Sequence, residues 1–157
     1  MDYTKAVGNV TELQCLSKFI SMGFDCAIPY GDASKYDFVV DLNGEFIRVQ
    51  CKTAREIEDG VFLMTCYTQT TNTKETTRHR YTYEDIDYFA TYYKGKVYVW
   101  SLDESSSTKT LRLFPPSNGS KEWNNAADYE IEKVFGYLQK DSFLEQCENR
   151  KNFIKSK

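Results

Sequence analysis

Four polar side chains in the first third of the sequence, Glu12, Asp37, Gln50 and Lys52, have types suited to hydrolysis at a hard cation. Carboxylate and amide oxygens are the donors a small divalent ion prefers, and a lysine ammonium can hold a polarised water. Spacing brings three of them together. Strand-like runs at 36–42 and 45–53 are separated by Asn43-Gly44, the preferred two-residue hairpin turn. With those two residues as the loop, Leu42 faces Glu45 and, counting outward, Asp37 faces Gln50. Alternation then sorts the side chains. Phe38, Val40, Leu42, Ile47, Val49 and Cys51 make an apolar core face. Asp37, Val39, Asp41, Phe46, Arg48, Gln50 and Lys52 share the other. Opposed Cβ atoms lie about 5 Å apart and diagonal ones within about 8 Å, so Asp37, Gln50 and Lys52 form one polar cluster. A solvated face with cross-strand charge pairing fits the same residues. Val39 and Phe46 on that face suggest partial cover by a helix.

The helix in question is expected over residues 5–22. Ala6, Val10, Leu13, Leu16 and Ile20 fall on one stripe, and Gly23 sits where a helix would stop. Glu12 lies about 80° from that stripe at 100° per residue, at the edge of the buried face. Its carboxylate can point into the helix–sheet seam or be an ordinary boundary glutamate. Gly8, one turn earlier, leaves room for a large ligand.

Further along, Phe24, Cys26 and Ile28 alternate as a short strand, and Val61–Thr68 reads as another. Residues 69–80, threonine-rich and ending in Arg78-His79-Arg80, read as an exposed loop. Thr82 with Asp85 resembles a capping box that starts a helix through about Tyr92. Val97–Leu102 and Thr110–Phe114 read as strands, suggesting a second hairpin across the Asp103–Lys109 linker. A helical region follows at about 122–148. The elements form a mixed α/β (α+β) domain with strands clustered in sequence, one domain over 1–157.

Composition narrows the chemistry. At 157 residues the chain holds one sizeable core, and no apolar run approaches the roughly 20 residues of a membrane span. No apolar signal core follows Met1-Asp2-Tyr3-Thr4-Lys5. Five cysteines, an odd number without a Cys-x-x-Cys pair, read as buried thiols in a reducing cytoplasmic setting. His79 is the single histidine, which leaves cysteine–histidine zinc sites and serine–histidine hydrolases little to work with. Net charge is −3, so bulk charge gives no argument for nucleic acid. The acid-poor basic stretch inside the domain is Arg78, His79 and Arg80, with Lys74 upstream. It suits phosphate contact or simply a solvated loop end. The basic tail at 150–157 reads as disordered.

The run Gly8-x-x-x-Glu12, then Gly23-Phe24, Pro29-x-Gly31-Asp32, Tyr36-Asp37, Val40-Asp41 and Val49-Gln50-Cys51-Lys52-Thr53 resembles the PD-(D/E)XK nuclease superfamily. Within it, the sequence is most similar to the group I intron-associated endonucleases. Asp85-Ile86-Asp87-Tyr88-Phe89-Ala90 followed by Val97-Tyr98-Val99-Trp100 is also similar to that branch. The resemblance spans roughly residues 5–115. It implies a restriction-endonuclease-like mixed sheet with a central hairpin flanked by helices. Glu12 matches the helix glutamate of the family, Asp37 the metal-binding aspartate, and Gln50 and Lys52 the two ends of the (D/E)xK element. Gln50 departs from the usual acid, although glutamine is accepted in this branch.

The resemblance further implies a Mg²⁺-dependent endodeoxyribonuclease, with Mn²⁺ able to substitute. Metal ligands would come from Glu12, Asp37, the Gln50 amide oxygen and the Cys51 carbonyl. Lys52 would orient the nucleophile, and the products would carry a 5′-phosphate and a 3′-hydroxyl. DNA is the expected partner, contacted by Lys74, Arg78 and Arg80, and a homo-oligomer (dimer or tetramer) the expected state. Two other readings stand beside it. One is a catalytically inactive nuclease-fold module that binds nucleic acid or protein. The other is an interaction module presenting Tyr88, Tyr92 and Tyr93.

Overall fold

The computed structural model describes residues 2–31, 33–71 and 73–138. Helix α1 (Tyr3–Ser21) is capped by Asp2, whose carboxylate accepts from the Thr4 N–H at 3.0 Å. Among the described residues ten strands follow: β1 (Asp25–Ala27), β2 (Phe38–Leu42), β3 (Glu45–Cys51), β4 (Arg55–Glu58), β5 (Val61–Thr65), β6 (Tyr67–Thr71), β7 (Thr76–Arg80), β8 (Tyr88–Tyr93), β9 (Lys96–Ser101) and β10 (Thr108–Arg112). Helix α2 (Ile131–Phe135) lies between 3₁₀ turns at Ala126–Tyr129 and Gly136–Leu138. Of the expected helical region at 122–148, residues 122–125 are not helical, and 139–148, like the basic tail, lie outside the described residues.

The main sheet has five strands in the order β1-β2-β3-β8-β9. All neighbours are antiparallel except β3 and β8, where Gln50 pairs with Phe89. A parallel pair needs a long crossover. Here the crossover is the excursion from β4 to β7. It supplies two strands of the sheet β10-β5-β4 and all of the ribbon β6-β7. Each face of the main sheet carries a core. Phe19, Phe38, Val40, Val49, Val99 and Phe135 pack between the sheet and the helices. On the other face Phe62, Met64, Phe89, Tyr98, Trp100 and Leu111 join the main sheet to β5 and β10.

The hairpin register is as expected, with Phe38 opposite Val49 and Leu42 opposite Glu45. Asn43 (φ 59°) and Gly44 (φ 101°) both take the left-handed region that such a turn demands. Five expectations change.

Residues 82–92 do not form a helix. Half of the capping box is made, with Thr82 N–H donating to Asp85 Oδ2 at 3.0 Å, and Ile86 N–H closes one backbone turn onto Thr82 O at 3.2 Å. Arg48 then captures Asp87, and the aromatic run from Tyr88 finds more burial as a strand. Residues 69–71 and 76–80 are strand rather than loop, because their threonines pair across a ribbon. The last two expected strands exist but are not partners: β9 pairs with β8, and β10 with β5.

Helix α1 buries Thr11, Cys15, Leu16 and Phe19, and leaves Val10, Leu13 and Ile20 of the expected stripe exposed. It therefore packs on the apolar face of the hairpin. Phe46, on the polar face, is 70% exposed and carries no helix.

Candidate active site

The hairpin ladder is extended past β2 by one bond, from Asp37 N–H to Val49 O at 2.8 Å. Because Val49 already faces Phe38, that bond seats Asp37 as an extra residue at the end of the ladder, with its carboxylate reaching Gln50 and Cys51. Asp37 Oδ2 accepts from the Gln50 amide nitrogen at 2.8 Å and from the Cys51 N–H at 2.6 Å. The same amide nitrogen donates to the Cys51 carbonyl at 3.1 Å. Two oxygen acceptors thus converge on one donor.

Burial pushes the Asp37 carboxyl above its ordinary range, against the opposing pull of the Cys51 N–H, Lys52 and Gln50. Glu12, half-buried on α1, is raised as well, first by burial and then by the charge of Asp37. Those causes place Glu12 and Asp37 within electrostatic reach of each other. Gly8 is open, with nothing within 4 Å of where a side chain would begin.

Lys52 follows directly after β3, its N–H bonded to Ala90 O at 2.8 Å. Its ammonium donates to Tyr81 Oη at 2.9 Å and to Tyr67 O at 3.2 Å, and it lies 4.6 Å from the centre of the Tyr81 ring. Burial lowers its pKa, while Asp37 opposes that shift. An ammonium fixed at two of its three protons keeps one direction for a further partner.

The structure therefore gathers Asp37, Gln50 and Lys52 at one end of the hairpin, with Glu12 beside them. Lys74, Arg78 and Arg80 lie apart on the ribbon region, and Arg80 is partly engaged by the carbonyls of Glu104 and Ser105 at 3.3 and 3.5 Å. Tyr81, the Tyr67 carbonyl and the Arg48–Asp87 clip escape sequence reasoning. Threonine's strand preference on either side of residue 74 was the available signal for the ribbon and for the tyrosines at its root.

A family model described as PD-(D/E)XK endonuclease matches residues 2–132. The chain belongs to this family. The fold agrees: the solved structure of a bacterial homing endonuclease, I-Ssp6803I, is similar with a TM-score of 0.71 and 24% identity. The similarity covers 91% of this chain and 98% of that one. No curated protein matches the sequence. The mixed α+β architecture is accordingly that of a PD-(D/E)XK nuclease.

Nucleases of this family generally use divalent metals, so the donor set can be judged against that need. Among the described residues no three His, Cys, Asp or Glu side chains gather as a metal site. The acids of the site are the pair Glu12 and Asp37, and uncharged oxygens must complete any shell. The convergence of Asp37 Oδ2 and Cys51 O on one hydrogen-bond donor is such a place, because a cation satisfies the same two acceptors. The donor set fits a hard divalent ion. Gln50 would then present its amide oxygen rather than the nitrogen seen here, which requires the amide to turn over.

Proposed function

We propose that the chain is a metal-dependent endonuclease that hydrolyses DNA phosphodiester bonds, in the homing, junction-resolving or restriction-like range. The convergence of Asp37, Gln50 and the Cys51 carbonyl beside a held lysine is the observation that supports this reading most. Asp37, Gln50 Oε1 and Cys51 O would hold Mg²⁺ or Mn²⁺, with Glu12 binding directly or through water. Their formal charge of −2 balances one divalent ion. The bound ion would polarise the scissile phosphate and lower the pKa of a coordinated water.

Lys52 would orient that water and offset negative charge on the phosphate as it forms. Tyr81 and Tyr67 would keep the ammonium in place, so its ordering is complete before substrate arrives. Lys74, Arg78 and Arg80 would contact DNA, and a second or fourth copy would multiply those contacts. A reducing cytoplasm suits the free thiols of Cys15, Cys26, Cys51 and Cys66.

The test is purified protein with plasmid, linear duplex and four-way junction DNA, with and without Mg²⁺. Cleavage is expected in Mg²⁺ and is expected to vanish in Asp37→Ala and Lys52→Ala. Equal cleavage by wild type and Asp37→Ala would remove the mechanism.

An inactive nuclease-fold binder is favoured by one observation, the Gln50 amide bonded to the carboxylate that should hold the metal. Thermal melts separate the two. A working site gains stability with Mg²⁺ or Ca²⁺ and loses that gain in Asp37→Ala, whereas an inactive binder melts alike with and without the ion.

A further inference from the structure

The ribbon β6-β7 has a form and a composition that the hydrolytic site does not use. Among the described residues its two strands hydrogen-bond to no third strand. Thr68, Gln69 and Thr70 are exposed, and so is every residue of β7. Neither strand contains an acid. Hydroxyl, amide, imidazole and guanidinium groups, all able to donate hydrogen bonds, dominate the surface. Exposed paired strands of this kind usually rest on a core; this ribbon presents both faces to solvent over most of its length.

Register sorts those groups. Tyr67 pairs with Arg80 and Gln69 with Arg78, so these four share one face. Arg78 lies over the Tyr67 ring at 4.9 Å, which fixes the direction of its guanidinium. We infer that the ribbon enters the major groove of duplex DNA, and that the opposed pair Gln69 and Arg78 reads base edges beside the cut.

Three physical arguments carry this, and it rests on the nuclease reading above. The first is size. The major groove, about 12 Å wide, admits a two-stranded ribbon, and the minor groove, about 6 Å wide, does not. The second is chemistry. Glutamine matches the two major-groove positions of adenine and arginine those of guanine, each with two parallel bonds.

The third is where the ribbon is rooted. Tyr67 opens it and Tyr81 follows its last residue, and these two hold the Lys52 ammonium. An arm that starts at this lysine must lie along the same DNA the site would cut. Five residues at about 3.4 Å each reach about 17 Å. That length spans about five base pairs at 3.4 Å per step.

The experiment offers full-length protein with Mg²⁺ a duplex library with randomised bases, and sequences the cleaved ends. Wild type should show base preference within about five base pairs of the cut. Gln69→Ala and Arg78→Ala should each flatten that preference at one or two positions, by about 5- to 150-fold in discrimination, and leave other positions unchanged. Both side chains are exposed, and melts of the variants will verify that they fold. Identical profiles for all three proteins, or no preference near the cut, would overturn the inference.

Should wild type cut nothing, like Asp37→Ala, the nuclease reading fails and the arm is judged by binding alone. Duplexes retained in Ca²⁺ are then compared before and after methylation at guanine N7, which obstructs the major groove. Loss of retention supports the arm, and unchanged retention refutes it.

Discussion

Exchanging the Gln50 amide for a carboxylate would set two negative groups in contact at 2.8 Å in the absence of metal. Gln50→Glu is therefore expected to lower the metal-free melting temperature, at a cost on the order of 1–3 kcal/mol. It should also enlarge the rise produced by Mg²⁺, because the added charge favours the ion. Calorimetric titration and melts measure both, and a much weaker Mg²⁺ affinity would exclude Gln50 as a ligand. Asp37 gives a prediction in pH. Its folded carboxyl keeps the proton above the ordinary value of 3.8, so the folded chain binds more protons than the unfolded one in the window just above that value. That stabilisation is complete below pH 3.8 and is lost as pH rises through the folded pKa. Asp37→Asn should consequently melt higher than wild type at pH 7 in EDTA, with the gap closing near pH 3.5. A lower melting temperature for Asp37→Asn at pH 7 would contradict the burial argument.

The hairpin holds its residues because a clip on its polar face ties β3 to the segment before β8. Arg48 N–H and Nε donate to Asp87 Oδ2 at 2.7 and 3.0 Å, and Arg48 Nη2 reaches Asp87 Oδ1 at 2.9 Å and Tyr83 O at 2.8 Å. These bonds hold the Asp87 carboxyl below the usual range. The pair is about one-third exposed, so screening limits its value. Asp87→Ala should cost about 2 kcal/mol, measured by denaturant unfolding. Asp87 stabilises the fold above the ordinary carboxylate pKa, and that support fades as pH falls through its depressed value. The variant should therefore show a shallower acid-side loss of stability.

This clip also shows which parts of the fold can be read in a sequence. The Asn43-Gly44 turn fixes register by local geometry, so alternation alone brought Asp37, Gln50 and Lys52 together. Residues 82–92 carry a genuine capping pair, yet their state is decided by Arg48, 39 residues before Asp87. No local pattern contains that information. The buried face of α1 was misplaced for a related reason: Thr11 and Cys15 are buried where the helix meets strands far along the chain, and Phe19 packs on Phe135, while Val10 and Leu13 are left outside.

At the scale of the whole molecule, affinity for DNA should depend steeply on salt despite the net charge of −3. Each neutralised phosphate contributes about −0.9 to the slope of log K against log salt. Two or three contacts from Lys74, Arg78 and Arg80 give about −2 to −3 for one copy, and two copies engaged together give about −4 to −5. Fluorescence anisotropy over a salt series measures the slope, and sedimentation in the same buffers counts the copies. A slope near zero would remove the ribbon cations from the interface.

The excursion between β3 and β8 has one more consequence. Both of its ends are pinned in the central sheet, at one end by the bond from Lys52 N–H to Ala90 O at 2.8 Å and at the other by that from Asp87 N–H to Arg48 O at 3.0 Å. Between those fixed points the ribbon contributes no strand to the main sheet. A protein built this way has an exchangeable cassette: the connection between Thr71 and Thr76 can be lengthened, or grafted from a relative, while the candidate site stays seated on its own frame.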